Sequence, residues 1–227
     1  MSSLGDSRGW VVLLALKPLA LAKSRLERPD RSAITLAMAA DTAAAAASLD
    51  AVEAVLVVSD DEQARELLAP LAVLVPDSPA AGLNPALLHG AAEAAARWPR
   101  SALAVLAADL PALQPPALAE ALALASRERR AIVADSEETG TVMLAAAHAV
   151  PLDPGFGPGS RNRHLSSGAS DLTHRLTPGD ASAGLRRDVD TSADLDIAIA
   201  LGVGPYTAKV LDPTESFTWG WQTSRRG

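Results

Sequence analysis

Three groups of charged residues follow apolar runs or close an expected strand, and their side chains suit work on phosphate. The first is Lys17-Pro-Leu-Ala-Leu-Ala-Lys23-Ser-Arg25, placed after the run Trp10 to Leu16. Three cations in one loop can neutralise a triphosphate. The segment is not the glycine-rich phosphate loop, which needs Gly-x-x-x-x-Gly-Lys followed by Ser or Thr; solvated surface charge is the plain alternative. The second group is Ala108-Asp109-Leu110-Pro111, after a run that begins at Ala102. A carboxylate there suits Mg²⁺, which binds through one or two carboxylates plus substrate phosphates, although Asp also caps turns. The third is Arg187-Asp188-Val189-Asp190-Thr191. In an extended segment Asp188 and Asp190 point to the same side, while Asp190 and Thr191 also fit the cap of a following helix. One assignment serves both: Asp188 on metal, Asp190 structural.

The elements that must position these groups alternate. Trp10 to Leu16 is continuously apolar, as a parallel strand covered on both faces would be. The alanine-rich stretch Ala33 to Leu49 predicts a helix, and Val52 to Val58 a second strand. Asp60 and Asp61 cap a helix to about Leu68. Leu71 to Val75 is a short strand, Pro76 to Asn84 a loop, and Pro85 opens a helix to Arg97. Then come a strand over Ala102 to Ala108, a helix over Pro115 to Arg127 and a strand over Ala131 to Ala134. Thr141 to Ala147 reads as a strand of opposite direction. Pro151 to Gly159 is a loop, Ser160 caps a short helix through Leu165, and Leu185 to Val189 is a last strand before a helix to Leu201.

Alternating strands and helices predict an α/β fold: one Rossmann-like, mixed, mostly parallel sheet with helices on both faces. In such sheets ligands sit outside the carboxyl ends of the strands, near the point where strand order reverses. The three charged groups occupy such positions. No internal repeat or linker is visible, so the expected organisation is a leader over 1–9, one domain over 10–211 and a polar tail over 212–227 that holds Trp219 and Trp221.

Composition narrows the function. The chain has 227 residues, with 48% apolar and 21% charged, which fits a globular domain rather than disorder. Lys and Arg number 20 against 27 Asp and Glu, a net charge of −7, which argues against general nucleic-acid binding. There is no cysteine, so disulfides, thiolate catalysis and Cys-ligated metals are excluded. His89, His148, His164 and His174 lack the close spacing of a zinc site. No run approaches the roughly 20 apolar residues of a membrane span, and no signal peptide is seen; a cytoplasmic protein is expected.

The ordered set of motifs resembles the 2-phospho-L-lactate/phosphoenolpyruvate guanylyltransferases of deazaflavin coenzyme (coenzyme F-420) biosynthesis, in the nucleotidyltransferase superfamily with a nucleotide-diphospho-sugar-transferase-like fold. The resemblance runs from about Val11 to Val210. It is carried by Leu16 to Leu26, Gly82-Leu83-Asn84, Ala108-Asp109-Leu110-Pro111, Thr139-Gly140-Thr141, Phe156-Gly157-Pro158-Gly159-Ser160, Arg163-His164 and Asp188-Val189-Asp190-Thr191. It implies that Asp109 and Asp188 hold Mg²⁺ and that Thr141, Gly157 and Ser160 cradle the acceptor. His164 is a further candidate to hydrogen-bond the acceptor, a structural histidine beside a helix being the plain alternative. The resemblance also implies that Lys17, Lys23 and Arg25 close over the GTP phosphates, and that Asn84 lines the nucleotide. The chain departs from the usual pattern at Glu137 and Glu138, before Thr139, and around Gly159 and Arg161-Asn162.

The expectation is a Mg²⁺-dependent guanylyltransferase using GTP and a phosphorylated three-carbon acid, phosphoenolpyruvate or 2-phospho-L-lactate. No nucleic-acid or membrane partner is expected, and a homodimer is compatible. Two other readings stand beside it. One is a molybdenum-cofactor-type guanylyl- or cytidylyltransferase of the same superfamily, although those begin with a Gly-Gly-rich loop where this chain has Lys17-Pro18. The other is a silent nucleotide-binding module.

Overall fold

A computed structural model describes residues 9–16, 26, 28–78 and 80–212. The elements in chain order are β1 (Trp10–Ala15), α1 (Arg31–Ala47), β2 (Val52–Val58), α2 (Glu62–Leu68), β3 (Val73–Val75), α3 (Leu83–Arg97), β4 (Ala102–Leu106) and α4 (Pro115–Ala125). They continue with β5 (Arg130–Ala134), β6 (Thr141–Ala146), α5 (Ser160–Ser166), β7 (Ser170–Asp171), a 3-10 turn (Thr173–Arg175), α6 (Asp180–Arg186), α7 (Ser192–Leu201) and α8 (Pro205–Leu211).

The strands form one sheet in the order β3-β2-β1-β4-β6-β5-β7. β1 pairs in parallel with both β2 and β4, so strand order reverses between β1 and β4. β6 runs antiparallel to β4 and to β5. The expected mixed, mostly parallel α/β sheet is thus the one observed. The reversed strand has a consequence for the site. It brings the beginning of β6, at Thr141, beside the ends of β1 and β4.

Both faces of the sheet are covered, which is why its central strands lack alternation. Val12 and Leu14 belong to a core shared with Ala39 and Ala43 of α1 and Leu118 and Leu122 of α4. Their neighbours Val11 and Leu13 face the other way, against Ala86, Leu87 and Ala94 of α3. A Cβ at Gly90 of α3 would lie 2.6 Å from Leu13 and 2.8 Å from Val58, so the helix rests on the sheet through a bare backbone. Leu13, Leu14 and Leu56 are fully buried, each contributing about 1.5–3 kcal/mol of transfer free energy.

Several boundaries differ from expectation, each for a local reason. α3 begins at Leu83 behind Gly82, so Pro85 is its third residue; the missing N–H there is one that a helix start leaves unbonded anyway. Asp61, not Asp60, caps α2, accepting from the Ala64 amide. α5 is preceded by Gly159 in the left-handed region (φ +71°), and Ser160 is its first residue rather than its cap. The expected strand Leu185 to Val189 is absent. Leu185 lies on α6 in the large core, whereas Val189 belongs to a separate cluster with Ile34, Met38 and Leu195. β7 and α8 were not expected. β7 is two polar residues paired with Ala131 and Ile132. α8 is held from a distance, because the buried carboxylate of Asp41 on α1 accepts from the amides of Tyr206 and Thr207. None of the helices among the described residues is long and apolar enough to cross a membrane.

Candidate active site

A cleft of about 500 Å³ opens at the carboxyl ends of β1 and β4. Its walls include Ala15 and Leu16 at the exit of β1, Ala107 to Asp109 after β4, Thr139 to Thr141 leading into β6, Phe156 to Ser160, and Asp188 with Asp190. Strand order reverses at this point, where open sheets bind ligands.

Asp109 is set in place by three backbone tethers. The Ala107 amide extends the ladder to Val142 at 2.8 Å, and the Asp109 carbonyl oxygen accepts from the Val189 amide at 3.1 Å. The buried Thr42 hydroxyl of α1 donates to the Met38 carbonyl at 2.9 Å and accepts the Leu110 amide at 3.2 Å. α6 closes over the same loop: a Cβ at Gly184 would fall 2.2 Å from the Ala112 carbonyl oxygen, so only a glycine permits this approach.

Asp188 arrives from the segment between α6 and α7. Thr191 and Asp194 form a reciprocal capping box at the start of α7, and Arg187 donates to Asp194 at 3.3 Å. Those bonds fix the segment at both ends while Val189 is buried beneath it. Burial and the carboxylates of Asp109, Asp190 and Asp135 push the Asp188 carboxyl up to about 7. Such crowding of hard oxygen donors beside a phosphate-sized cleft suits a divalent cation held by two carboxylates. Among the described residues no three His, Cys, Asp or Glu side chains gather closely enough to hold a metal unaided. The remaining ligands would therefore come from substrate oxygens and water.

The opposite wall is a loop presenting backbone. Gly157 and Gly159 have φ of +120° and +71°, conformations that side chains resist. Three residues moor this loop. Asn84 pairs with the backbone of Phe156 in both directions, donating to its carbonyl at 3.1 Å and accepting its amide at 2.8 Å. Arg163 donates to the carbonyls of Gly155 and Pro158 at 2.9 and 2.6 Å. His164 accepts the Gly155 amide at Nε2 and lies 3.0 Å from the Thr141 hydroxyl at Nδ1.

The candidate residues therefore divide. Asp109, Asp188, Thr141, Gly157 and Ser160 line one cleft. His164 is 1% exposed and sits behind the wall. Asn84 is engaged with Phe156 instead of lining the cleft. Lys17, Lys23 and Arg25 lie outside the described residues, as do Trp219 and Trp221; Leu16, just before Lys17, is on the cleft wall. Glu137 and Glu138 do not line the cleft, and Glu138 pairs with Arg186 at 3.2 Å.

Asp135 was not anticipated. It lines the cleft, and its carboxylate accepts the amides of Thr139 and Gly140 at 2.9 and 2.7 Å, shaping the turn that delivers Thr141. A signal existed: Asp135 follows an apolar run just as the Asp109 segment does. Asp190, assigned only a structural role, also faces the cleft.

This sheet, with paired aspartates at its reversal point and a glycine-rich wall opposite, defines a nucleotidyltransferase fold. Residues 24–158 match the family described as MobA-like NTP transferase domain. Phosphoenolpyruvate guanylyltransferase of Thermomonospora curvata is 48% identical over 220 residues, covering 95% of this chain and 94% of its own. The protein of the same name from Frankia casuarinae is 49% identical over 225 residues, 89% of this chain and 76% of that one. Among solved structures, a putative nucleotide-diphospho-sugar transferase from Desulfovibrio desulfuricans superimposes with a TM-score of 0.62 at 14% identity, over 83% of this chain and 85% of the other. A nucleotidyl transferase from Methanothermobacter gives 0.59 at 16%, over 86% and 98%. At such identities these two speak for the fold alone. The chain belongs to the phosphoenolpyruvate guanylyltransferase family.

Proposed function

We propose that this protein transfers GMP from GTP to phosphoenolpyruvate, releasing pyrophosphate and leaving enolpyruvyl-2-diphospho-5′-guanosine, a step toward a deazaflavin coenzyme. The observation that carries the reading is the meeting of Asp109 and Asp188 in the cleft that Thr141, Gly157 and Ser160 also line. The names of the similar proteins support the choice of donor and acceptor.

An oxygen of the acceptor phosphate attacks the α-phosphorus of GTP. The new P–O bond forms as the bond to the β-phosphate oxygen breaks, and that oxygen leaves with pyrophosphate. Phosphate monoesters have a second ionisation near pH 6, so the nucleophile is already dianionic and needs no general base. Positioning and charge stabilisation then carry the catalysis. Asp109 and Asp188 would hold Mg²⁺, which when bound supplies a Lewis acid at the phosphoryl oxygens. The Thr141 hydroxyl, Ser160 and the backbone around Gly157 hold the acceptor. Lys17, Lys23 and Arg25 neutralise the GTP phosphates, and Asn84 fixes the wall formed by the loop around Gly157.

The test is pyrophosphate release with GTP and Mg²⁺, offering phosphoenolpyruvate, 2-phospho-L-lactate and no acceptor in parallel. Turnover that requires GTP and one of the two acids is expected. Release with neither acid, or with CTP in preference to GTP, overturns the reading.

A further inference from the structure

His164 belongs to neither substrate surface, being 1% exposed, yet both its ring nitrogens are engaged. Nε2 lies 2.8 Å from the Gly155 amide nitrogen, and a backbone amide can only donate. Nε2 must therefore keep its lone pair, and the neutral ring carries its proton on Nδ1. Nδ1 in turn lies 3.0 Å from the Thr141 hydroxyl oxygen, which must accept that proton's hydrogen bond. A free threonine hydroxyl chooses between donating and accepting. This one has lost the choice on its buried side. Thr141 has no second side-chain hydrogen-bond partner among the described residues, and it stands on the cleft wall. Its own hydrogen is left to point into the cleft.

We infer that His164 is a positioning residue that makes the Thr141 hydroxyl an obligatory donor toward the anionic oxygens of the acceptor. The instruction originates in the Gly155 amide, which selects the ring tautomer. One loop thus shapes the acceptor wall with its backbone and polarises a hydroxyl on the neighbouring strand. Phe156 packs edge-on against the ring, centroids 5.1 Å apart at 71°, and holds its plane. The inference rests on the reading of Thr141 as part of the acceptor site.

Two substitutions separate positioning from mere support. His164→Asn keeps an N–H donor near the place of Nδ1 and loses the contact to Gly155. His164→Gln keeps an acceptor for Gly155 near the place of Nε2 and offers nothing to Thr141. The expected result is that His164→Gln raises the acceptor KM about tenfold, the worth of one hydrogen bond to an anion, with the GTP KM within about twofold of wild type. His164→Asn stays within about threefold on both substrates. The reverse ranking, or an equal loss on both substrates, overturns the inference. A measurement on the unliganded wild-type protein stands apart from turnover: ¹⁵N NMR of the His164 ring is expected to show a protonated Nδ1 and a bare Nε2 at neutral pH. The opposite tautomer removes this inference alone. A wild-type enzyme that consumes no phosphorylated three-carbon acid removes the acceptor reading, and the role of Thr141 with it.

Discussion

The carbonyl oxygen of Asp109 accepts the amide proton of Val189 at 3.1 Å. That single bond stitches the loop after β4 to the segment before α7, and it sets Asp188 beside Asp109. Like charges brought together by the backbone work against the folded chain unless a cation joins them. Asp109→Asn and Asp188→Asn are each expected to lower turnover at least about 100-fold, the scale of losing one preorganised charge contact. Metal-free melting temperatures should hold or rise, because each change relieves repulsion. Pyrophosphate release and circular-dichroism melts measure the two effects. Full activity of either variant under saturating Mg²⁺ would falsify the metal assignment.

Thr42 carries the Asp109 loop from below through the Leu110 amide. Thr42→Val keeps the shape and leaves that buried N–H without an acceptor, costing about 1–3 kcal/mol. In a domain of this size such a loss lowers the melting point by roughly 2–12 °C. Thr42→Ser, which restores the oxygen, should recover most of both stability and kcat. A serine variant no better than valine would show that the hydroxyl is not what matters.

Two buried groups titrate in opposite senses. Burial pushes Asp41 up to about 6 from 3.8, against the amides of Tyr206 and Thr207 that favour its charge. The folded chain then holds this proton more tightly than the unfolded one, so the contribution of Asp41 to stability is full below pH 3.8 and lost as pH rises through about 6. Burial, with Arg130 and Arg163 nearby and Asp153 opposing them, pushes His164 down to about 4 from 6.5. Its contribution is full above pH 6.5 and lost as pH falls through about 4. Each spans roughly 3 kcal/mol, and the two slopes oppose one another between pH 4 and 6. Asp188, pushed up from 3.8 to about 7, adds a second slope of the Asp41 sign, so wild-type stability falls as pH rises across that window. Asp41→Asn should flatten the wild-type profile by leaving Asp188 and His164 opposed, and His164→Gln should steepen its fall with rising pH. Urea midpoints at pH 4, 5 and 6 decide it, and an Asp41→Asn profile as steep as wild type, or a His164→Gln profile no steeper, would contradict the account.

Lys23 lies in the segment between β1 and α1, outside the described residues. As a ligand of the GTP phosphates it should, when changed to Ala, raise the GTP KM about tenfold and leave the acceptor KM close to wild type. Steady-state kinetics with each substrate varied in turn test this, and a larger effect on the acceptor would reassign the loop.

How far the site was readable depends on the direction of the strands. β1 and β4 showed themselves as continuous apolar runs because both of their faces are covered, and Asp109 followed from being the first carboxylate past such a run. Thr141 stands at the start of its strand instead. The rule of looking after apolar runs could not reach it, and only family resemblance did. The site position of Asp188 was legible although the strand expected around it does not form, since Leu185 and Val189 serve different cores and merely mimic alternation. α8 offered no cap of its own, because the capping carboxylate comes from Asp41 on another helix. The roles of Asn84 and His164 were invisible for a similar reason: each grips a backbone distant in sequence or hidden behind the wall.

The moorings of the 155–159 loop bear on any attempt to redirect this enzyme to another acid. Asn84 and Arg163 grip its backbone from two helices, and His164 couples it to Thr141. A loop transplanted alone from a cousin of different taste would arrive with its anchors left behind. The portable cassette is the loop together with Asn84, Thr141, Arg163 and His164, and exchanging fewer parts amounts to rebuilding half a hinge.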